Sequence, residues 1–217
     1  MRIYISMKKA ILLAMALLSM TLMSQIVQTK NKLVLNHGDM VLYLSNDTLP
    51  MVSRHSIVFS KFKLDKDRDN GWFQDKYKKM RKSAYKNTGY DLGHLTPSHI
   101  TSYDDTLNHR SFSLYNQAPQ LAKFNRGNWK RLESSVEDSI IKHRSNAIII
   151  TGVIYGPSRK PLPNSRITIP SSYFKVLYIG KKVYCWIGSN STCEIRMISM
   201  TELNSLFKKN KMGLVIK

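Results

Sequence analysis

The sequence predicts one α+β domain, in which a mixed or antiparallel sheet packs with a single long helix. Strand-like runs come before and after one strongly amphipathic segment, which is the pattern typical of this class. Apolar residues make up 42% of the 217 residues, enough for a sizeable core. A chain of this length suits one domain, or at most a domain with a small appendage.

Strands are predicted where β-branched and aromatic residues show partial alternation. These runs are "KLVLNHGDMVLYLS", "HSIVFSKFKL", "RSFSLYN", "NAIIITGVIYG", "SRITIPSSYFKVLYI" and "KKVYCWIG". Residues 65–90 are charged and interrupted by glycine, which indicates a long surface loop. The stretch "MTELNSLFKK" predicts a short helix near the C-terminus.

Residues 125–143 form the strongest predicted helix. Trp129, Leu132, Val136 and Ile140 follow one another at intervals of three, four and four residues, which gives a continuous apolar stripe at helical spacing. Asn125 stands where an N-cap residue is expected. We therefore assign the stripe to the core and the start of the helix to Asn125.

The first 24 residues have the features of a secretory signal peptide. Lys8 and Lys9 precede an apolar run from Ala10 to Met23, which is short for a membrane span but suits a signal core. We expect residues 1–24 to be removed, residues 25–217 to form the domain, and the protein to be secreted or periplasmic. An uncleaved membrane anchor is the alternative.

The two cysteines, Cys185 and Cys193, flank a Gly-Ser-Asn-Ser run that indicates a hairpin turn. Such a turn would place the cysteines on facing strands, and an exported protein favours disulfides. The sequence therefore predicts a Cys185–Cys193 disulfide. It contains no Cys/His spacing typical of a structural zinc site.

The net charge of +20 comes from 34 Lys and Arg against 14 Asp and Glu. Only three basic residues lie in the first 24, so the domain itself is strongly basic. Such a charge favours a polyanionic partner, either nucleic acid, anionic membrane or acidic glycan. Charge alone does not imply catalysis.

Several dispersed motifs, "GYDLGHLTP", "FSLYNQAPQ", "FNRGNWKRLE", "ITGVIYG" and "IPSSYFKVL", together resemble the DNA/RNA non-specific endonucleases in order and spacing. That family includes secreted bacterial nucleases and mitochondrial endonuclease G, and the resemblance covers roughly residues 50–187. It implies a ββα-metal core whose long helix carries the metal ligand. It also implies metal-dependent cleavage of DNA and RNA with little sequence preference, leaving 5′-phosphate ends.

The resemblance also implies roles for individual residues. Neutral imidazole is a suitable base near neutral pH, and His94 corresponds to the family's general base. Asn125 corresponds to the ligand of Mg²⁺, with Mn²⁺ as the alternative ion, because hard cations prefer oxygen and retain water. Asn116 corresponds to the residue that orients the histidine. Glu133, eight residues after Asn125, corresponds to the residue that orders the metal-bound water.

One departure from the family pattern concerns phosphate binding. The usual Asp-Arg-Gly-His motif reads Asp91-Leu92-Gly93-His94 here, so the arginine that contacts phosphate is replaced. Arg126 is the nearest substitute in the motifs, and further substrate-binding cations are predicted at Arg68 and Arg81. Asp91 and Gly93 are predicted to shape a turn that presents His94.

Leu92 keeps a second hypothesis open, a nucleic-acid-binding or polyanion-binding protein with a weakened site. A basic envelope protein would explain the charge and the signal but not the motifs. His99 is predicted not to be a ligand.

Overall fold

The computed structural model describes residues 27–29, 33–45, 49–62, 82–163 and 165–217. The predicted signal peptide, Arg68, Arg81 and most of the predicted loop at 65–90 lie outside these residues. Among the described residues, no helix is both long and apolar enough to cross a membrane.

An antiparallel sheet of seven strands forms the centre of the structure. Its strands are β2 (Val34–His37), β3 (Met40–Leu44), β4 (Pro50–Ile57), β7 (Ala147–Ile154), β8 (Ser172–Ile179), β9 (Lys182–Ser189) and β10 (Ile195–Met197). Their order across the sheet is β10-β9-β8-β7-β4-β3-β2. Two further antiparallel pairs lie outside this sheet. These are β5 (Tyr90–His94) with β6 (Gln117–Leu121), and β1 (Val27–Thr29) with β11 (Leu214–Ile216).

Within the described residues, helices occupy four places. They are α1 (Asp105–Ser111), α2 (Ala122–Phe124), α3 (Lys130–His143) and α4 (Met200–Lys209), with a π-type turn at Asn125–Trp129 between α2 and α3. Short 3₁₀ turns are Phe59–Lys61, Lys82–Tyr85, His99–Thr101 and Leu114–Asn116. The predicted α+β class is confirmed, and so is the helix near the C-terminus.

The central strands are apolar on both faces because both faces are covered. In β7, Ile149 and Val153 contribute to one core, whereas Ile148 and Ile150 contribute to the other. The first core includes the buried stripe of the long helix, which confirms its predicted packing: Trp129, Leu132, Val136, Ile140. The second core includes α4 and the β1–β11 pair.

The β5–β6 ribbon carries two of the sequence motifs and is fixed to the central sheet by specific hydrogen bonds. The Asn190 amide nitrogen donates to the carbonyls of Pro119 and Pro170, and its oxygen accepts from the Leu121 N–H at 2.9 Å. The Tyr173 hydroxyl donates to the Ala118 carbonyl at 2.9 Å. These bonds hold the ribbon in a defined position relative to the central sheet.

Three strand predictions need correction. "RSFSLYN" is not a strand, because Asp104 caps α1 by accepting from the Leu107 N–H, and α1 runs to Ser111 before a 3₁₀ turn. "KLVLNHGDMVLYLS" forms two strands, since Gly38 takes a positive φ of 75° at the turn between β2 and β3. The strand predicted within "HSIVFSKFKL" is β4, which begins at Pro50 and ends at Ile57.

The predicted placement of the cysteines on facing strands is also wrong. Cys185 pairs with Val176 within β8–β9, whereas Cys193 lies in the turn before β10 with φ of 65°. The two side chains belong to different cores, and both are buried free thiols. The disulfide is absent because the turn lies at residues 190–194, which places Cys193 in the turn rather than on the strand that pairs with β9.

Candidate active site

An open cleft of roughly 700 Å³ lies where the β5–β6 ribbon meets the long helix. It brings together several residues that are far apart in sequence. The lining residues are Asp91, Leu92, His94, Pro97, Ser98, His99, Phe112, Asn125, Arg126, Lys130 and Glu133. Among the residues predicted for catalysis, metal or substrate binding and support of His94, those within the described ranges line the cleft except Asn116 and Gly93.

His94 is presented by a strand rather than by the predicted turn. Residues 90–94 form β5, in which Gly93 pairs with Ala118 and His94 pairs with Gln117. A Cβ at Gly93 would lie 2.5 Å from the Cβ of Gln120, closer than side chains approach. Glycine is therefore needed for the close approach of β6, and the turn interpretation is corrected.

The His94 ring is held from two directions. Its Nε2 lies 3.0 Å from the Gln117 Nε2, and the Phe112 ring packs edge-on against it with centroids 5.3 Å apart. An amide presents either a donor or, after rotation, an acceptor, so Gln117 can fix the ring in either tautomer. These contacts restrict the orientation of the imidazole in the cleft.

Asn116 supports the histidine through the backbone. Its Oδ1 accepts from the Thr96 N–H at 3.0 Å, and its Nδ2 donates to the carbonyls of Thr96 and Ser111. The side chain is fully buried and outside the cleft. It fixes the segment that follows His94, while Gln117 makes the side-chain contact with the ring.

The sequence predicted Asn125 as the N-cap of the long helix, and the structure shows that this is wrong. Helical structure already begins at Ala122, and the Asn125 N–H donates to the Ala122 carbonyl. Gly127 then departs from helical geometry, with φ of −106° and ψ of −109°, and kinks the chain before α3. The Asn125 side chain does not cap a helix, and it lines the cleft.

Asp91 connects the ribbon to this kinked segment. Its Oδ2 accepts from Asn125 Nδ2 and Arg126 Nε, both at 2.9 Å, and its Oδ1 accepts from Arg126 Nη2 at 2.7 Å. Burial by itself raises the pKa of Asp91, but the hydrogen bonds from Arg126 and Asn125 outweigh it, and the pKa is lowered. Asp91 is therefore a carboxylate that fixes both neighbours.

Glu133 has a different environment. Its Oε1 lies 3.7 Å from the Nζ of Lys175, and only 19% of its side chain is exposed. Burial raises the pKa of Glu133 to about 7, although Lys175 lowers it, and the negative charge of Glu137 adds to the increase. Glu133 therefore titrates near neutral pH.

The cleft rim is basic, but the Leu92 position contributes no charge. Leu92 packs against an apolar cluster that contains Tyr85, Leu162 and Ile167. The Arg126 side chain is 74% exposed while it pairs with Asp91, and Lys130 is also exposed. A guanidinium is thus available beside Asn125 even though the motif arginine is absent.

His99 also lines the cleft, which its sequence context did not indicate. Its Nδ1 lies 3.2 Å from Glu137 Oε1, and the ring is largely exposed. A carboxylate at Nδ1 fixes the ring, so the second nitrogen has a defined direction. His99 is therefore part of the cleft surface.

The profile of the family described as DNA/RNA non-specific endonuclease matches residues 19–210. The chain belongs to this family. Similar curated nucleases include a nuclease of Nostoc sp. (29% identity over 54% of this chain and 40% of that protein) and the mitochondrial nuclease of Saccharomyces cerevisiae (29% over 51% and 39%). Human mitochondrial endonuclease G is 24% identical over 48% of this chain. The chain spans about two-fifths of the length of these relatives.

A solved structure confirms the predicted ββα-metal fold. The crystal structure of a complex of EndoG with EndoGI aligns with a TM-score of 0.67 and 20% identity, over 79% of this chain and 82% of that chain. In this chain, β5, β6 and the helix that follows them have the ββα arrangement of that fold.

Sequence reasoning assigned no role to Gln117, Phe112 or Lys175, although Lys175 lies within the motif "IPSSYFKVL". Gln117 follows Asn116 directly in "FSLYNQAPQ", and Lys175 is an isolated lysine within the apolar run "SYFKVLYI". A charged residue inside a buried strand was the available signal, because such residues are rarely buried without a partner.

Proposed function

We propose that this protein is an exported, Mg²⁺-dependent endonuclease that hydrolyses DNA and RNA with little sequence preference. The observation that supports it is the convergence of His94, Asn125 and Glu133 in one cleft with a basic rim. A base, a hard oxygen ligand and a carboxylate are the groups that phosphodiester hydrolysis requires around the reacting phosphate.

The donor set fits a magnesium ion. Asn125 uses its Nδ2 on Asp91, and among the described residues its Oδ1 has no hydrogen-bond partner. Mg²⁺ binds through few protein oxygens and retains several waters, so the Asn125 oxygen with Glu133 nearby is sufficient. When bound, the ion supplies Lewis-acid stabilisation of negative charge on the phosphoryl and leaving oxygens. Mn²⁺ fits the same donors.

The chain's own residues then have distinct tasks. His94 takes a proton from the attacking water, whose oxygen bonds to phosphorus as the P–O3′ bond breaks. The products are a 3′-hydroxyl, protonated from solvent, and a 5′-phosphate. Glu133 accepts a hydrogen bond from water in the cleft. Asn116 and Gln117 keep His94 in place, and Arg126 contacts the phosphate that the motif arginine would have bound.

Substrate binding is proposed to involve the phosphate backbone. Arg126 and Lys130 border the cleft, and the chain as a whole carries a charge of +20. Phosphate contacts carry no sequence information, so little sequence preference follows, and affinity should fall steeply with salt. Arg68 and Arg81 are proposed as further substrate contacts. The signal-like residues 1–24 support export to the periplasm or medium, with 25–217 as the domain.

Leu92 favours one alternative, a nucleic-acid-binding protein of the same fold that cleaves weakly. Its side chain packs with apolar neighbours and offers the substrate no charge. This alternative predicts tight, salt-sensitive binding without metal-dependent cleavage.

The test is digestion of plasmid and RNA by residues 25–217, with Mg²⁺ or with EDTA, beside His94→Ala. We expect cleavage that requires both the ion and His94. His143→Ala is the matched control, since His143 is an exposed histidine at the end of α3, and it should cleave normally. Salt-sensitive binding without cleavage in any variant would instead support the binding-protein alternative.

A further inference from the structure

The structure contains a buried lysine beneath the cleft. Lys175 lies in β8, is 1% exposed, and its Nζ lies 3.7 Å from Glu133 Oε1. We propose that Lys175 is a positioning residue, which holds the Glu133 carboxylate in the orientation and charge state that cleavage requires. The effect of Lys175 on catalysis rests on the proposed function, whereas the contact between Lys175 and Glu133 is independent of it.

Strand register determines where Lys175 points. Side chains alternate along β8, and Tyr173 and Leu177, on either side of Lys175, both pack in the core beneath α3. Lys175 must therefore face the same helix. Its direct partner across β7–β8 is Thr151, whose hydroxyl accepts from Lys175 Nζ at 2.7 Å.

The lysine is fixed on several sides. Besides the Thr151 bond, its Nζ lies 5.1 Å from the centre of the Trp129 ring, close enough for a cation–π contact. A buried ammonium without a negative partner is strongly disfavoured. Glu133 is the only carboxylate for which the described residues show an ion pair with Lys175. The arrangement holds an ammonium in a defined position against one cleft carboxylate.

The charges around Glu133 show why a cation is needed there. Burial of Glu133 and the neighbouring Glu137 both raise its pKa, while Lys175 from β8 lowers it. Glu137 is itself paired with His99 on the far side. Without Lys175, the Glu133 carboxyl would be protonated over a wider pH range. It would then donate a hydrogen bond where the cleft requires an acceptor.

Lys175→Met tests this proposal because it keeps the length of the side chain and removes the charge. We expect kcat at pH 7 to fall about tenfold, since each unit of increase in the pKa of Glu133 reduces the ionised fraction up to tenfold. Activity should recover as the pH rises towards 9, whereas KM should change little because Lys175 does not line the cleft. A merely structural role would lower kcat equally at every pH.

Lys182→Met is the matched control, because it removes the same charge from an exposed position at the start of β9. It should leave kcat and the pH profile unchanged. In Glu133→Gln, further replacement of Lys175 by Met should produce no shift of the pH profile. Normal kcat and an unshifted profile in Lys175→Met would overturn the proposal.

A stability measurement separates this inference from the proposed function. Lys175→Met should lower Tm, and adding Glu133→Gln should restore part of the loss, because the uncompensated carboxylate is then removed. If wild-type protein does not cleave nucleic acid but this coupling is present, the proposed function fails and the Lys175–Glu133 pairing stands. If wild type cleaves and neither coupling nor a pH shift is found, the Lys175 inference is wrong.

Discussion

Two carboxylates in the cleft have cationic partners but opposite electrostatic behaviour. Asp91 pairs with Arg126, whose side chain is mostly in solvent, and also accepts a hydrogen bond from Asn125. Glu133 pairs with Lys175, which is buried, across a longer distance of 3.7 Å. The pKa of Asp91 is lowered, whereas the pKa of Glu133 is raised to about 7.

The difference lies in the balance between burial and favourable contacts. Hydrogen bonds outweigh burial at Asp91, whereas burial of Glu133 outweighs the charge and hydrogen bonding of Lys175. Asp91 accepts three short bonds from its two neighbours, and these outweigh the cost of burial. Glu133 has one distant cation and a second carboxylate, Glu137, near it. The first carboxylate is therefore a fixed anchor and the second is a titrating group.

Among substitutions that test the contrast between Asp91 and Glu133, the largest loss of metal affinity or activity is expected for Asp91→Ala. The substitution removes the anchor of both Asn125 and Arg126, and loss of such supporting hydrogen bonds typically costs about 10–100-fold in metal affinity or activity. Titration of activity with Mg²⁺ should show a higher half-saturating concentration. Asp104→Ala, which removes only the cap of α1, is the control. An unchanged Mg²⁺ dependence would show that Asp91 does not support the ligand.

A smaller effect is expected for Arg126→Ala, which leaves Asp91 its bond from Asn125. Loss of one phosphate contact should raise KM about tenfold and reduce the slope of log affinity against log salt concentration by about one. Arg131→Ala is the control, because Arg131 is exposed nearby but does not line the cleft. Equal effects of both substitutions would mean that only overall charge matters.

The smallest effect concerns stability as a function of pH. Because the pKa of Glu133 is about 7 in the folded protein and ordinarily 4.5, the folded state binds more protons between these values, and stability decreases as pH rises. Glu133→Gln should reduce this loss by an amount on the order of 2 kcal/mol. Asp91 acts in the opposite direction, since its lowered pKa gives stability that is lost as the solution becomes acidic.

Urea unfolding at pH 5 and pH 7.5 measures the Glu133 contribution. Asp91→Asn should leave the stability change between pH 5 and pH 7.5 unaltered. It should flatten the loss of stability in acid, because the lowered pKa of Asp91 gives stability that disappears when Asp91 is protonated. Identical pH dependence in wild type and Glu133→Gln would contradict the raised pKa.

Features carried by continuous local patterns were predicted well. The apolar stripe of the long helix is buried as predicted, and the runs around β7, β8 and β9 are strands. Predictions failed where a short segment could form either a strand or helical turns. Residues 110–116 have strand-like composition, but the Asp104 cap and the contacts of Asn116 favour helical turns.

The sequence by itself indicated the family and the fold class, and it singled out five residues that line one cleft in the structure: His94, Asn125, Glu133, Asp91 and Arg126. These depend on residue type and spacing, which are local properties. Tertiary structure decided that Gly93 serves a close strand approach, that Cys185 and Cys193 lie in different cores, and that Lys175 is beneath Glu133. Each depends on which residues meet across separate elements, and that is set only when the strands and the helix pack together.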